Sequence, residues 1–165
     1  MRELLEATGK VTLVDDPVIK VIPDDLVTIG RAIKDMCEGP PHDDREHNGQ
    51  PVAAGLVLTT GGTGFAPRDV TPEATAAVLE RRSDALITAV HAAMLPRLPS
   101  CVLSRGIAGT LGRSLVINCP GKPKAVRETV EVLARVLPHA LDQLRGSIAG
   151  HGGHVDDRKG GTGSR

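Results

Sequence analysis

Between Ala53 and Thr75 a short apolar run, a glycine-rich loop and a helix start follow one another without a spacer. Ala53 to Thr59 (AAGLVLT) has the continuous apolar character of a strand buried on both faces. Gly61, Gly62 and Gly64 then let the backbone turn sharply and bring its amides close to a ligand. Thr71 is placed to cap a helix, Pro72 has its φ preset for the first helical position, and Glu73 complements the dipole. A buried strand that turns tightly into a helix is the repeating unit of α/β folds. Ligands of such folds sit beyond the carboxyl ends of the strands.

The remaining texture repeats that alternation. Val18 to Ile22 reads as a strand ended by Pro23. Asp24 and Asp25 follow where a helix N-terminus favours negative charge. Leu26, Ile29, Ile33 and Met36 then define one helical face. The helix opened by Thr71 is expected to run to about Arg82, and a second to cover about Asp84 to Met94. Cys101 to Leu103 and Ser114 to Asn118 read as strands. A last long helix opens near Lys122-Pro123 and buries Val126, Val130, Leu133 and Leu137. A parallel or mixed sheet with helices on both faces follows. Glu38 to Gln50 reads as a polar surface loop, and Ser147 to Arg165 as a disordered Gly-rich tail.

Composition removes several function classes. The 165 residues suit one domain, and twenty basic residues balance twenty acidic ones, so no global field draws the chain to nucleic acid or an anionic membrane. Phe65 is the sole aromatic among Phe, Tyr and Trp, which removes the stacking platforms of single-strand binders. No apolar run approaches the roughly 18 residues of a membrane span. Cys37, Cys101 and Cys119 are odd in number and widely spaced, as expected of free thiols in a reducing, cytoplasmic compartment.

Four places carry residues suited to chemistry. In TTGGTGFAPRDVTPEAT (Thr59 to Thr75) a row of glycine amides forms a nest suited to phosphate oxygens. Thr59, Thr60 and Thr63 add hydroxyls, while Arg68 and Asp69 add a cation and a carboxylate. In Asn118-Cys119-Pro120-Gly121-Lys122-Pro123-Lys124 a strand meets a helix N-terminus, an arrangement that binds phosphate readily. A capped junction with two solvated lysines reads equally well. Ser104 and Arg105 end an apolar stretch, as a polar pair or as a plain surface turn. Asp24 is a catalytic carboxylate or a helix-start one.

The ordered set VIPDD (Val21 to Asp25), LTTGGTGFAPRDVTPEAT (Leu58 to Thr75), LSRGIAG (Leu103 to Gly109), LVINCPGKPKAVRE (Leu115 to Glu128) and LPHALDQL (Leu137 to Leu144) resembles the molybdopterin adenylyltransferase family of the gephyrin G-domain type. The resemblance spans most of residues 1 to 146. It implies a three-layer α/β/α fold with a mostly parallel sheet and Mg²⁺- and ATP-dependent adenylylation of molybdopterin, releasing pyrophosphate. By that resemblance Asp24 and Asp69 are the catalytic carboxylates, either one a Mg²⁺ ligand. Thr60, Gly61, Gly62, Thr63, Gly64, Arg68, Ser104, Arg105, Asn118, Pro120, Gly121 and Lys124 bind substrate. The family also implies a homotrimer and, in some members, a molybdenum-insertase domain.

Two departures from the family pattern stand out. Met1 to Leu5 reads as the end of a helix that family members place after a first strand and a Ser-Asp loop, so the chain as written is expected to lack both and to be impaired. Glu38 to Gln50 reads as an insertion. A non-catalytic molybdopterin-binding or scaffold domain, the related fold of molybdenum-insertion proteins and a generic phosphate binder are the rival readings.

Overall fold

Six consecutive residues of β4 (Ser114–Cys119) are buried, and the placement of the other elements follows from that strand. The structure, a computed structural model, describes residues 19–38 and 55–146. Because side chains alternate along a strand, Leu115, Ile117 and Cys119 enter one core while Val116 enters another. The first core is closed by α3 (Asp84–Met94), α4 (Pro123–Leu133) and α5 (Leu137–Arg145), through Val90, Met94, Val130, Leu133, Leu137 and Leu141. The second is closed by α1 (Leu26–Glu38) and α2 (Thr71–Ala76), through Ile29, Ile33 and Ala74. Helices therefore cover both faces of the sheet, and the fold is α/β.

The sheet runs β1-β4-β3-β2. β1 (Leu56–Thr60) lies parallel to β4, with Leu56 opposite Leu115 and Thr60 opposite Cys119. β3 (Ala108–Leu111) returns antiparallel to β4 through the tight turn at Gly112-Arg113, with Leu111 opposite Ser114. β2 (Arg81–Arg82) adds a short antiparallel edge. The described sheet is thus mixed: the parallel pairing expected of it is the β1–β4 pair, and the other two pairs run antiparallel.

Several local expectations are corrected. Residues 19–22 form no strand; Ile19 and Val21 are 81% and 97% exposed, with no ladder partner among the described residues. Asp25 caps α1 by accepting the Thr28 amide at 2.7 Å, and Ile29 and Ile33 are buried as expected, but Leu26 and Met36 are not. The helix at Thr71 stops at Ala76 rather than near Arg82, because the Glu80 amide joins Thr110 O of β3 (2.9 Å) and draws the chain into the sheet. Val70, not Thr71, is the N-cap residue, and it makes no side-chain cap. Cys101 to Leu103 belong to a 3-10 helix (Pro99–Leu103), started by the fixed φ of Pro99. The last helix is two helices, since Pro138 lacks an N–H and fits only the first turn of a new one.

β2 and β3 were not anticipated. Glu38 closes α1 rather than opening a loop. The expected insertion, the tail and the reading of the N-terminal segment lie outside the described residues. None of the described helices is long and apolar enough to cross a membrane.

Ile117 is fully buried between β1, β3 and the α3–α5 layer. Ile117→Ala is expected to cost about 2–5 kcal/mol in urea unfolding, and Ile117→Val about 0.5–1.5 kcal/mol.

Candidate functional site

Because β1 and β4 are parallel neighbours, their carboxyl ends lie side by side and deliver two loops to one place. Gly61 N donates to Cys119 O (3.3 Å), Thr60 Oγ1 donates to Pro120 O (3.0 Å), and a Cβ on Gly121 would stand 3.3 Å from Gly61 Cα. The first loop begins with Gly61 and Gly62 at φ 91° and 63°, a region that L side chains rarely adopt. Gly62 is doubly constrained, since a Cβ there would run into Thr71 Oγ1 while Thr71 N donates to Gly62 O (3.1 Å). The loop is thereby closed onto the first turn of α2.

Asp69 folds back across this loop. Its Oδ2 accepts the Ala66 amide (3.0 Å), its own amide donates to Ala66 O (2.8 Å), and a Cβ on Gly64 would come within 2.8 Å of Oδ2. Oδ1 has no protein donor among the described residues. Asp24 reaches the other flank, with Oδ1 3.7 Å from the position of a Cβ on Gly62.

Beneath both loops lies Asn118, which is 2% exposed. Its Oδ1 accepts the Ile107 amide (3.2 Å), and its Nδ2 donates to Thr59 Oγ1 and Thr75 Oγ1, both at 2.9 Å. Its hydrogen-bonding groups are therefore engaged by β1, α2 and the approach to β3. Asn118 braces the site.

Ser104 and Arg105, adjacent in sequence, part company in space. Ser104 lies on the cavity side, donating to Thr63 Oγ1 (3.3 Å) and accepting the Gly106 amide (3.4 Å). Arg105 turns to the outer side of the loop. Its Nε donates to Gly64 O (2.8 Å), Nη2 to Asp69 O (2.5 Å) and Nη1 to Glu73 Oε1, while its guanidinium carbon lies 5.8 Å from the Phe65 ring centre. The hydrogen bond from Arg105 holds the Glu73 carboxyl below its usual range.

Between the loops and α3 opens a cavity of about 430 Å³. Gly61, Gly62, Thr63, Gly64, Asp69 and Ser104 form its polar side, joined by Pro120, Gly121 and Lys122 of the second loop. The opposite wall is apolar, from Ile87, Val90, Met94 and Leu98, with His91 among them. Asn118 reaches the floor. Of the residues anticipated from sequence, Gly61–Gly64, Asp69, Ser104, Asn118, Pro120 and Gly121 therefore converge.

Asp24, Thr60, Arg68, Arg105 and Lys124 do not line the cavity. Thr60 ties the two loops together. Arg68 is exposed, and the Lys124 side chain is 88% exposed, with Nζ 4.0 Å from Glu128. Lys122 is the lysine that lines the cavity. Sequence reasoning missed the α3 wall and His91, although Ile87, Val90, His91 and Met94 share one helical face by their spacing.

Among the described residues no group of three or more His, Cys, Asp or Glu gathers as a metal cage. Magnesium rarely needs one, since it keeps several waters and is held by one or two carboxylates plus substrate phosphates. Asp69 lines the cavity, with Oδ1 accepting no donor among the described residues, and is the carboxylate suited to such a role. Asp24 stands across Gly62, outside the lining. Cys101 and Cys119 are free, buried thiols, and burial pushes the Cys119 thiol up to about 11.

A glycine nest, a carboxylate and a lysine facing an apolar wall, beyond the ends of two parallel strands, define an α/β domain built to hold an anion on an apolar body. The chain belongs to the family described as "Probable molybdopterin binding domain", which matches residues 14–139. It is 42% identical to the molybdopterin adenylyltransferase of Helicobacter pylori over 92 residues, which are 56% of this chain and 52% of that protein. It is 39% identical to the gephyrin of Dictyostelium discoideum over 124 residues, 75% of this chain and 16% of that protein. Among solved structures, a molybdopterin biosynthesis protein from Mycobacterium abscessus superposes with a TM-score of 0.70 at 34% identity, covering 88% of this chain and 82% of that one. The chain thus spans about half the length of the bacterial curated relative and a smaller part of gephyrin.

Two outcomes test this geometry. Gly62→Ala is expected to cost about 1–3 kcal/mol by denaturant unfolding, from the left-handed φ and the contact with Thr71. Glu73 contributes through its ionised form, whose pKa is depressed on folding. That contribution is present above the unfolded value of about 4.3 and is lost as pH falls through the folded one. Glu73→Gln should therefore lower Tm at pH 7, and the difference from the parent protein should shrink toward about pH 3.

Proposed function

We propose that this domain acts in molybdenum cofactor biosynthesis as a nucleotidyltransferase, adenylylating molybdopterin with ATP. The observation that carries the reading is the convergence of the Gly61–Gly64 loop, Asp69, Ser104 and Lys122 on one cavity whose far wall is apolar. Family membership and the adenylyltransferase names of relatives near 40% identity support it.

In this reaction a terminal phosphate oxygen of molybdopterin attacks the α-phosphorus of ATP. A new P–O bond forms as the bond from that phosphorus to the bridging oxygen breaks, and the electron pair departs with pyrophosphate. No covalent nucleophile on the protein is needed, so alignment of the two substrates and neutralisation of charge supply the rate. The amides of Gly62, Thr63 and Gly64 and the ammonium of Lys122 face developing negative charge from the two loops. Ser104 offers a hydroxyl held in place by Thr63. The apolar wall around Val90 and Met94 accepts the ring portion of a substrate and excludes water from one side.

Asp69 and Asp24 are the residues that would hold Mg²⁺, which supplies charge neutralisation at the phosphates when bound. Exposed apolar residues at Leu95, Val102 and Leu103 support subunit association, in a trimer or with an insertase domain, as part of the same reading. Buried free thiols at Cys101 and Cys119 support a reducing, cytoplasmic setting.

The test is formation of adenylyl-molybdopterin from molybdopterin and Mg-ATP, followed by chromatography. Asp69→Asn is expected to lower kcat about 10²–10³-fold, while Lys124→Ala stays within about threefold of the parent protein. Molybdopterin binding without turnover would assign the domain a scaffold role instead.

A further inference from the structure

The ten residues from Gly62 to Thr71 carry most of the polar side of the cavity, yet they have few bonds of their own. Thr71 N closes the loop onto Gly62 O, and Asp69 and Ala66 bond each other. Ser104 adds one bond, to Thr63 Oγ1, and most of the remaining anchors come from its neighbour Arg105. Arg105 N donates to Thr63 O (2.8 Å), and its guanidinium reaches Gly64 O, Asp69 O and Glu73. Arg105 thus ties the beginning of the loop, its end and the helix behind it to the segment entering β3.

We infer that Glu73 and Arg105 form a clamp that positions Asp69 and the glycine loop, and that neither is a substrate contact. Each of the three guanidinium nitrogens of Arg105 already donates to the protein, its charge is met by Glu73, and its side chain lies off the cavity. A planar guanidinium suits this role, because its rigid fork reaches several acceptors at once. Phe65 packs beneath it. Glu73 completes the arrangement from the first turn of α2, the same turn that Gly62 touches through Thr71. Loss of the Glu73 carboxylate would leave the guanidinium without its counter-charge and loosen its hold on the carbonyls of Gly64 and Asp69. Glu73 is on this account a positioning residue that acts through Arg105.

The inference deepens the proposed function and rests on it for its kinetic readout, whereas its structural readout stands alone. Amide hydrogen exchange is measured by mass spectrometry on the full 165-residue chain, comparing the parent protein with Glu73→Gln and Glu73→Ala. Peptides covering residues 63–70 are expected to exchange about tenfold faster in Glu73→Ala, with Glu73→Gln intermediate and β4 unchanged. In the molybdopterin adenylylation assay, kcat of Glu73→Ala should fall about tenfold while KM for ATP moves less than about threefold. Loop exchange equal to the parent's would overturn the clamp, and so would faster exchange spread equally over the loop and β4. A KM effect without a kcat effect would also overturn it, by making the pair a ground-state binding element. If the parent protein forms no adenylyl-molybdopterin, the functional reading fails, and the exchange comparison still decides the clamp.

Discussion

A primary amide shut away from water must find its partners inside the protein or leave costly unsatisfied groups. Asn118 meets that demand by bonding Thr59 on β1, Thr75 on α2 and the Ile107 amide before β3. Those three attachments come from separate segments that flank the cavity loops. The parallel pairing of β1 with β4 puts two loops side by side, while Asn118 fixes their level relative to α2. The site is therefore a consequence of how the sheet is stitched to its helices.

The same logic orders the polar side chains around the cavity. Thr63 is buried and meets Ser104, and Asp69 is bonded back onto its own loop. Arg105 carries its charge to the outside of the loop, where Glu73 meets it. The polar inventory near the cavity thus divides into groups that face inward, as Lys122, Ser104 and Asp69 do, and groups that keep the inward ones in place. Adjacent residues can fall on opposite sides of that division, as Ser104 and Arg105 do.

Much of this was legible in the chain, and the exceptions have physical causes. The continuous apolar runs at Ala53–Thr59 and Ser114–Asn118 marked the two parallel strands, because a strand covered on both faces needs no polar alternation. The glycines before Thr71 marked the loop, since few other residues tolerate that backbone. Local pattern misled where tertiary pairing decided the outcome. Leu79 and Glu80 carry helical spacing, but the ladder with β3 claims the chain there. Cys101 to Leu103 look like a strand, yet Pro99 starts a 3-10 turn. Val18 to Ile22 has strand composition, and its described part pairs with no strand among the described residues. Among the site residues, the glycines and Asp69 could be read from their neighbours in sequence. That Lys122 rather than Lys124 borders the cavity, and that Arg105 turns away from it, depends on which face of a folded loop each residue occupies.

Cys119 closes β4 directly below the second loop, with no exposed surface. With its thiol pushed up to about 11 by burial, Cys119 stays protonated at neutral pH. A sulfur so rarely ionised is a poor nucleophile and exchanges slowly with other thiols or disulfides. That sulfur sits in the core and outside the cavity lining, so burial keeps it apart from thiols and disulfides that reach the loops above it.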